Sequence, residues 1–278
     1  MFELYAFMIA LAGTLVASYY DLKTTEIPDL LPILMIAVGI TLNFLDFLFT
    51  KNPENLFLSL VNGIVFSIIG FSMYFVGQWG AGDAFLLAAI GFLIPKNFLI
   101  QDDFSFLFTY LANLFFLGSL YMIVYSFFYA IRNKKVIKTF KSQIKKFSWI
   151  VVVLSFLFIL LSSLLSFILF GEIVPRLILL ACSTTLLLTI LWIFSKSVEN
   201  SFIKRIPVSK LKVGDVLLES KRWDGITEKE IKEIKKSGRR YVYIKSGICF
   251  APAFPLALVF TMVYGNSIVL FLSLLSLI

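Results

Sequence analysis

Long apolar runs, separated by short polar stretches, dominate this sequence. Eight of the runs are candidates for membrane-spanning helices, each of which needs about 20 mostly apolar residues. They cover residues 3–20, 30–49, 56–78, 84–100, 104–130, 147–170, 173–195 and 251–277. Pro95 and Lys96 shorten the fourth run, which leaves a seven-span arrangement open. The pattern predicts an all-α polytopic membrane protein with about eight transmembrane helices.

One stretch, residues 197–248, departs from the apolar pattern because it is charged throughout. Thr227 and Glu230 have the spacing of a capping box, Gly238 suits the end of a helix, and residues 240–244 alternate like a strand. We expect a small cytoplasmic α+β domain here, and nothing in it resembles a catalytic site. The predicted organisation is a transmembrane helical domain at 1–196, this small domain at 197–248 and a C-terminal transmembrane helix at 249–278.

The composition narrows the class of protein and its possible chemistry. Hydrophobic residues make up 59% of the chain and the mean hydropathy is +0.93, which excludes an ordinary soluble domain. Histidine is absent and only Cys182 and Cys249 occur, so Ser-His and Cys-His nucleophile pairs, His-ligated metals and a disulfide framework are excluded. Carboxylates remain as the acid/base groups.

The positive charges predict how the helices are oriented. With the N-terminus outside, the outer loops hold only Lys51, Lys96 and Arg176 of the 25 basic residues, and the basic loop 131–146 lies in the cytoplasm. Although the net charge is +8, basic clusters beside membrane spans are typical of contacts with anionic lipid head groups, and no nucleic-acid-binding module accompanies them. We therefore expect lipid contacts through the basic loops and no nucleic-acid partner.

Two aspartates stand where apolar runs begin or end. Asp21 closes the first run and Asp83 precedes the fourth, after Gly80 and Gly82. Ionisable groups at membrane depth are costly and indicate a functional site, and the predicted topology places both at the cytoplasmic face. Two carboxylates around one water molecule can share a proton and act as acid and base. The glycines would let the backbone before Asp83 bend.

The residues around these aspartates resemble a known family. Residues 21–29 read DLKTTEIPD and residues 80–83 read GAGD. Their order and setting resemble the two motifs of the type IV prepilin peptidase family, the GxGD intramembrane aspartyl peptidases, and most closely the archaeal preflagellin and class III signal peptidase branch. The motifs lie in about the first hundred residues.

The resemblance implies a function and roles for the motif residues. Asp21 and Asp83 would be the catalytic pair, Gly80 and Gly82 their mobile support, and Lys23, Pro28 and Asp29 further motif positions. The family's activity would be removal of a short, positively charged leader from archaellin or type IV pilin-like precursors with class III signal peptides. Cleavage would occur at the cytoplasmic face of the cell membrane and would need no metal or organic cofactor.

The chain departs from the family pattern in two respects. Phe85 occupies a position where the family often has lysine, which changes the charge balance near Asp83. Bacterial members carry a cysteine-rich zinc loop and methylate the new N-terminus. With two cysteines, no histidine and no glycine-rich dinucleotide-type loop, we expect no methyltransferase activity here.

Two functions of other classes stay open. A presenilin-like peptidase cutting within transmembrane helices shares the Tyr20-Asp21 and Gly-x-Gly-Asp signatures, but here the aspartates lie three spans apart. A proton-coupled transporter could use the same carboxylates as a relay, although transporters more often show inverted repeats and interrupted helices at the bilayer midplane. Incubation with a precursor protein would separate these from a leader peptidase.

Overall fold

A computed structural model describes residues 2–100 and 105–275 of the chain. Its helices are α1 Phe2–Thr24, α2 Leu30–Thr50, α3 Glu54–Val76, α4 Ala81–Leu93, α5 Phe106–Arg132, α6 Lys134–Phe170, α7 Pro175–Ser201, α8 Glu228–Lys236, α9 Ala253–Tyr264 and α10 Ser267–Leu275. Three strands, β1 Ile203–Pro207, β2 Val216–Leu217 and β3 Tyr241–Lys245, and the 3-10 turn Val208–Lys210 complete the fold. Six of the described helices, α1 to α3 and α5 to α7, are long and apolar enough to cross a membrane. The predicted all-α polytopic membrane fold is confirmed.

The chain divides into two compact units. The first comprises the described residues up to Ile123 and from Arg205 onward, and it contains both aspartates. The second runs from Val124 to Lys204 and contains α6 and α7, which pack against each other.

The fourth predicted span is much shorter than the apolar run that suggested it. Helix α4 has 13 residues, so it is about 20 Å long and ends at Leu93. Ile94 is extended, with φ −113° and ψ 107°. A residue before proline avoids the helical region, and Pro95 follows, so the chain leaves the helix at this point.

The expected basic loop at 131–146 is instead mostly helical. Helix α6 begins at Lys134, one residue after Asn133, whose side-chain oxygen accepts a hydrogen bond from the Lys135 amide at 3.1 Å. Lysine is a good helix former, so the helix continues through the charged stretch into the apolar one and ends at Phe170. Its 37 residues make a helix of about 55 Å, longer than a bilayer core.

The last predicted span, at 251–277, is interrupted. Gly265 has φ 70° and ψ −140°, a conformation open essentially to glycine alone, and it ends α9. The side-chain oxygen of Asn266 then accepts a hydrogen bond from the Ile268 amide at 2.9 Å and begins α10.

Helix α4 lies in the core of the first unit, packed against α1, α2 and α3. Leu86, Leu87, Ile90 and Leu93 have no exposed surface. The neighbouring backbones approach closely through glycine: a Cβ atom on Gly91 would lie 2.7 Å from the carbonyl oxygen of Asn62. Such contacts leave no room for α4 to shift at this end.

Polar side chains of α2 and α3 bind the carbonyl groups at the end of α4. Asn43 Nδ2 donates to the oxygens of residues 92 and 93 at 3.1 and 3.3 Å, and Ser59 Oγ donates to the Phe92 oxygen at 3.0 Å. Asn62 Nδ2 donates to the oxygens of residues 94 and 95 at 3.2 and 2.9 Å. Because the last carbonyls of a helix have no partner within it, these bonds let α4 end inside the protein.

The segment from β1 to β3, called the sheet segment here, forms a three-stranded sheet in the order β1-β3-β2 with its own small core. Strands β2 and β3 are antiparallel, with Val216 opposite Lys245. The predicted capping box opens α8: the Thr227 amide and hydroxyl donate to Glu230 Oε2 at 2.7 and 2.8 Å and lower the pKa of that carboxyl. Gly238, after the helix, has φ 72°.

Candidate active site

The last turn of α1 and the first turn of α4 bring Asp21 and Asp83 together. Both side chains line a cavity of about 430 Å³ and a second, adjoining one of about 580 Å³. Their carboxyl groups are close enough for their charges to interact. The sequence separates them by three predicted spans, and the fold brings them to one place.

Residues that precede α9, far from Asp21 in the sequence, form hydrogen bonds with it. Only 7% of its surface is exposed, and its Oδ2 accepts a hydrogen bond from the Ala251 amide at 3.0 Å. The Cys249 thiol donates to the backbone oxygen of Asp21 at 3.2 Å. The residues before α9 therefore fix the orientation of this carboxyl group.

Asp83 is the third residue of α4 and is half-buried. The Gly80 amide donates to its Oδ2 at 3.3 Å, which is a long hydrogen bond. Its Oδ1 is buried and has no hydrogen-bond partner in the part of the chain that the structure describes. A buried polar atom normally has a partner, so this oxygen is the group at the site best suited to bind a water molecule or a substrate.

The two motif glycines adopt ordinary backbone conformations. Gly80 has φ −74° and ψ 160°, which any residue can adopt, and Gly82 lies within the helix. A Cβ atom on Gly82 would lie 2.9 Å from Cβ of Ile27, whereas one on Gly80 would meet only Asp83 Oδ2, at 3.5 Å. Gly82 thus lets α4 approach the loop that follows α1, and the predicted bending of this segment stays a prediction.

The other motif positions are distributed around the site. Pro28 and Asp29 line the second cavity, and Asp29 precedes α2 without a side-chain capping bond. Lys23 is exposed, lies outside the lining of both cavities and contacts Tyr19. Phe85, in place of the family lysine, packs edge to face on Phe71 at 5.0 Å.

Thr25, which lines both cavities, has φ 60°. This left-handed conformation is unusual for a β-branched residue and costs about 1–2 kcal/mol. Thr25 directly follows the last turn of α1, and its amide donates to the backbone oxygen of Asp21 at 2.8 Å. The chain therefore turns sharply into the motif loop directly after the first aspartate.

The sheet segment covers the cavities, which the sequence did not predict. Trp223 lines both, and its Nε1 donates to the Gly77 oxygen at 2.9 Å. The Tyr74 hydroxyl donates to Asp224 at 2.6 Å. Gly77 has φ 80°, and a Cβ atom there would clash with the Lys221 oxygen. Gly225 also lines both cavities. The polar stretch that contains Trp223 and Gly225 is the sequence feature that could have indicated their place at the site.

The lining of the cavities is strongly acidic. The second cavity has five carboxylates, Asp21, Glu26, Asp29, Asp83 and Asp224, and no basic residue. The first has four, with Lys245 as its basic residue, whose ammonium lies 4.4 Å from the centre of the Trp223 ring. Within residues 2–100 and 105–275, no three or more Cys, Asp or Glu side chains are grouped so that they could hold a metal ion.

The part of the chain that carries both aspartates is similar to known proteins. The model of the type IV leader peptidase family matches residues 8–131, which include both aspartates. The preflagellin peptidase of Methanocaldococcus jannaschii is 36% identical over 107 residues, which are 38% of this chain and 45% of that protein. The preflagellin peptidase of Methanococcus voltae is 32% identical over 136 residues, 46% of this chain and 58% of that protein.

These similarities cover about half the length of each relative. No solved structure matches the chain significantly. Residues 8–131 of this chain are similar to the type IV leader peptidase family, and parts of the chain are similar to preflagellin peptidases.

Proposed function

We propose that this protein is a membrane-embedded aspartic endopeptidase that uses Asp21 and Asp83 to activate water. The observation that carries the proposal is that these two carboxyl groups line one cavity, with Asp83 Oδ1 buried and without a partner among the described residues. The relatives are peptidases by name, and the family match includes both aspartates.

Hydrolysis by the pair follows from carboxyl chemistry. One ionised carboxylate removes a proton from water as the water oxygen attacks the scissile carbonyl carbon, while the other, protonated carboxyl group donates to the carbonyl oxygen. The tetrahedral intermediate then collapses, and the leaving nitrogen receives a proton from the pair. Because two carboxyl groups around one water molecule can share a single proton, the roles of acid and base belong to the pair.

The acidic lining supports a basic substrate. A leader rich in lysine or arginine, as in class III signal peptides, would be attracted by the acidic lining of the second cavity, which includes Glu26, Asp29 and Asp224 besides the pair. The names of the relatives point to archaellin precursors as the substrate, and pilin-like precursors carry the same kind of leader. We therefore propose that the enzyme removes such a leader.

The proposed setting is the cell membrane, with the N-terminus outside and the active site at the cytoplasmic face. At the start of the second unit, seven basic residues between Arg132 and Lys146 are exposed, and we propose that they contact anionic lipid head groups. Single cysteines introduced for labelling would test this orientation. A membrane-impermeant reagent applied from outside should label position 52, between α2 and α3, but not position 138. The opposite pattern would overturn it.

The decisive experiment uses the purified full chain in bicelles with an archaellin precursor. We expect one shortened product whose new N-terminus lies directly after the basic leader, and product formation at least about 100-fold slower with Asp21→Asn. Cuts inside the hydrophobic helix of the substrate would indicate a presenilin-like peptidase instead. An intact precursor after prolonged incubation, with the wild-type enzyme folded, would refute the proposal.

A further inference from the structure

The chain that leaves strand β3 runs along the wall of the first cavity without a neighbouring strand. Ser246, Gly247 and Ile248 follow β3 directly, contain no turn or bend, and line this cavity together with Asp21 and Asp83. In the part of the chain that the structure describes, the backbone amides and carbonyls of these three residues have no hydrogen-bond partner. Unpaired backbone groups in a partly buried place require an explanation.

Strand β2 turns away here, which leaves Gly247, the next residue whose backbone groups face β2, without a partner among the described residues. Its pairing with β3 stops at Val216 opposite Lys245, and continued antiparallel pairing would place Asp215 and Gly214 opposite the next two residues. Instead, the Gly214 amide donates to the Ile226 oxygen at 3.1 Å and the Ile226 amide donates to the Asp215 oxygen at 2.9 Å.

A glycine makes this diversion possible. A Cβ atom on Gly225 would lie 2.6 Å from Cα of Gly214, so only glycine allows the two backbones to approach as they do. The backbone at residues 246–248, which continues β3, therefore lies in the cavity unpaired within the described part of the chain and is called the open edge of β3 here.

The open edge leads to a proposed catalytic carboxyl group. Ala251, three residues after Ile248, donates its amide to Asp21 Oδ2, and Cys249 donates to the Asp21 backbone. Extended chain rises about 3.3 Å per residue, so a peptide paired with residues 246–248 would have its next few residues within about 10 Å of this carboxyl.

We propose that residues 246–248 are the backbone-binding subsite for the precursor peptide. The peptide lies alongside them in extended form and adds a strand to the open edge of β3, which presents its scissile bond to Asp21 and Asp83. The occupant is a peptide because the bonding groups are backbone amides and carbonyls, and its basic residues suit the acidic lining. This inference rests on the proposed peptidase function.

The test is a series of synthetic peptides that span the cleavage site, each with one N-methylated backbone amide. In a strand, alternate residues point their N–H groups toward the same neighbour, so sensitivity should alternate along the peptide. We expect N-methylation at every second position of the paired stretch to raise KM about 5- to 10-fold, because each such methyl group removes one hydrogen bond. Positions between these should change KM less than about 2-fold, within the scatter expected of such sites.

The outcomes separate this inference from the proposed function. If the unmethylated peptide is not cut, both fail. If that peptide is cut and methylation has no effect, or has an effect only at the scissile amide, the peptidase stands and the subsite is overturned.

A matched pair of enzyme variants tests the same edge. Gly247→Ala keeps the amide and places a Cβ atom at an ordinary 4.0 Å from the Trp223 ring. Gly247→Pro removes the N–H group that Gly247→Ala retains, so we expect KM of the proline variant to exceed that of the alanine variant about 5-fold, with the same melting temperature in both. Equal KM values for the two variants would contradict the proposal. If the proline variant is unstable, the methylated peptides alone decide.

Discussion

The two ends of helix α4 differ sharply in how their polar groups are satisfied. At the C-terminal end, five hydrogen bonds from Asn43, Ser59 and Asn62 occupy the carbonyls of residues 92–95. At the N-terminal end, Asp83 has one long hydrogen bond to Oδ2, and its buried Oδ1 has no partner among the described residues.

The difference indicates that the two ends of this short helix have different roles. The C-terminal end is fixed by side chains and by backbone contacts through glycine, so it determines where the helix lies. The N-terminal end keeps an unsatisfied carboxyl group in a cavity, as expected where chemistry rather than stability has shaped the site. A helix fixed at one end holds the aspartate at the other end in a defined position.

Substitutions at the N-terminal end of α4 should have the largest effect, which is on kcat. Asp83→Asn should lower kcat about 10²- to 10⁴-fold because it removes an acid/base group, and Asp21→Asn should do the same. The double variant should lose little more, since the two act as a unit. Cleavage assays with the purified variants measure this, and thermal unfolding should show stability no lower than wild type. Near wild-type processing by either single variant would exclude the pair.

At the C-terminal end of α4, Gly91→Ala should lower the stability of the protein. The added Cβ atom would meet backbone atoms of Asn62 and Gly63 at 2.7 and 2.8 Å, and backbone cannot move aside easily. We expect a loss of about 2–3 kcal/mol in the free energy of unfolding, measured by thermal denaturation in detergent. Gly80→Ala is the control, because its Cβ atom meets only Asp83 Oδ2 at 3.5 Å. Equal stability of the two variants would mean that α4 is not fixed as described.

The hydrogen bonds at this end should have a smaller effect. Asn62→Leu keeps the size of the side chain but leaves the carbonyls of residues 94 and 95 without their donor. We expect a loss of about 1–2 kcal/mol in unfolding free energy, with kcat of the folded fraction nearly unchanged. Ser72→Ala on the exposed side of α3, where the hydroxyl bonds only to its own helix, should be neutral. A large fall in kcat for Asn62→Leu would show that the amide serves catalysis.

The sequence predicted the features that depend on local signals. Apolar runs indicated the long helices, Thr227 and Glu230 indicated the start of α8, and the polar breaks indicated where Asp21 and Asp83 stand. These signals operate within a few residues, so composition and spacing reveal them.

What the sequence did not predict depends on distant partners. The bond from Trp223 to Gly77 joins residues 146 positions apart, and that from Ala251 to Asp21 joins residues 230 apart. No periodicity marks such pairs, so the cover over the cavity and the open edge of β3 could not be predicted. Nothing in the segment 197–248 resembled a catalytic site from the sequence, and its place beside the cavities rests on such distant contacts.

The smallest expected effect concerns the attachment of the sheet segment at the N-terminal end of α4. Trp223→Phe keeps an aromatic ring but removes the donor to the Gly77 oxygen, a hydrogen bond worth about 1 kcal/mol. If the sheet segment must lie over the cavity for peptide to bind, this loss should lower kcat/KM about 5-fold. Trypsin should also cut this lysine-rich segment faster, because the segment would detach more often from the helices beneath it. Trp149→Phe, at an exposed position in α6, is the control and should change neither quantity. Faster trypsin cleavage with an unchanged kcat/KM would show that the contact holds the segment in place but that peptide binding does not depend on it.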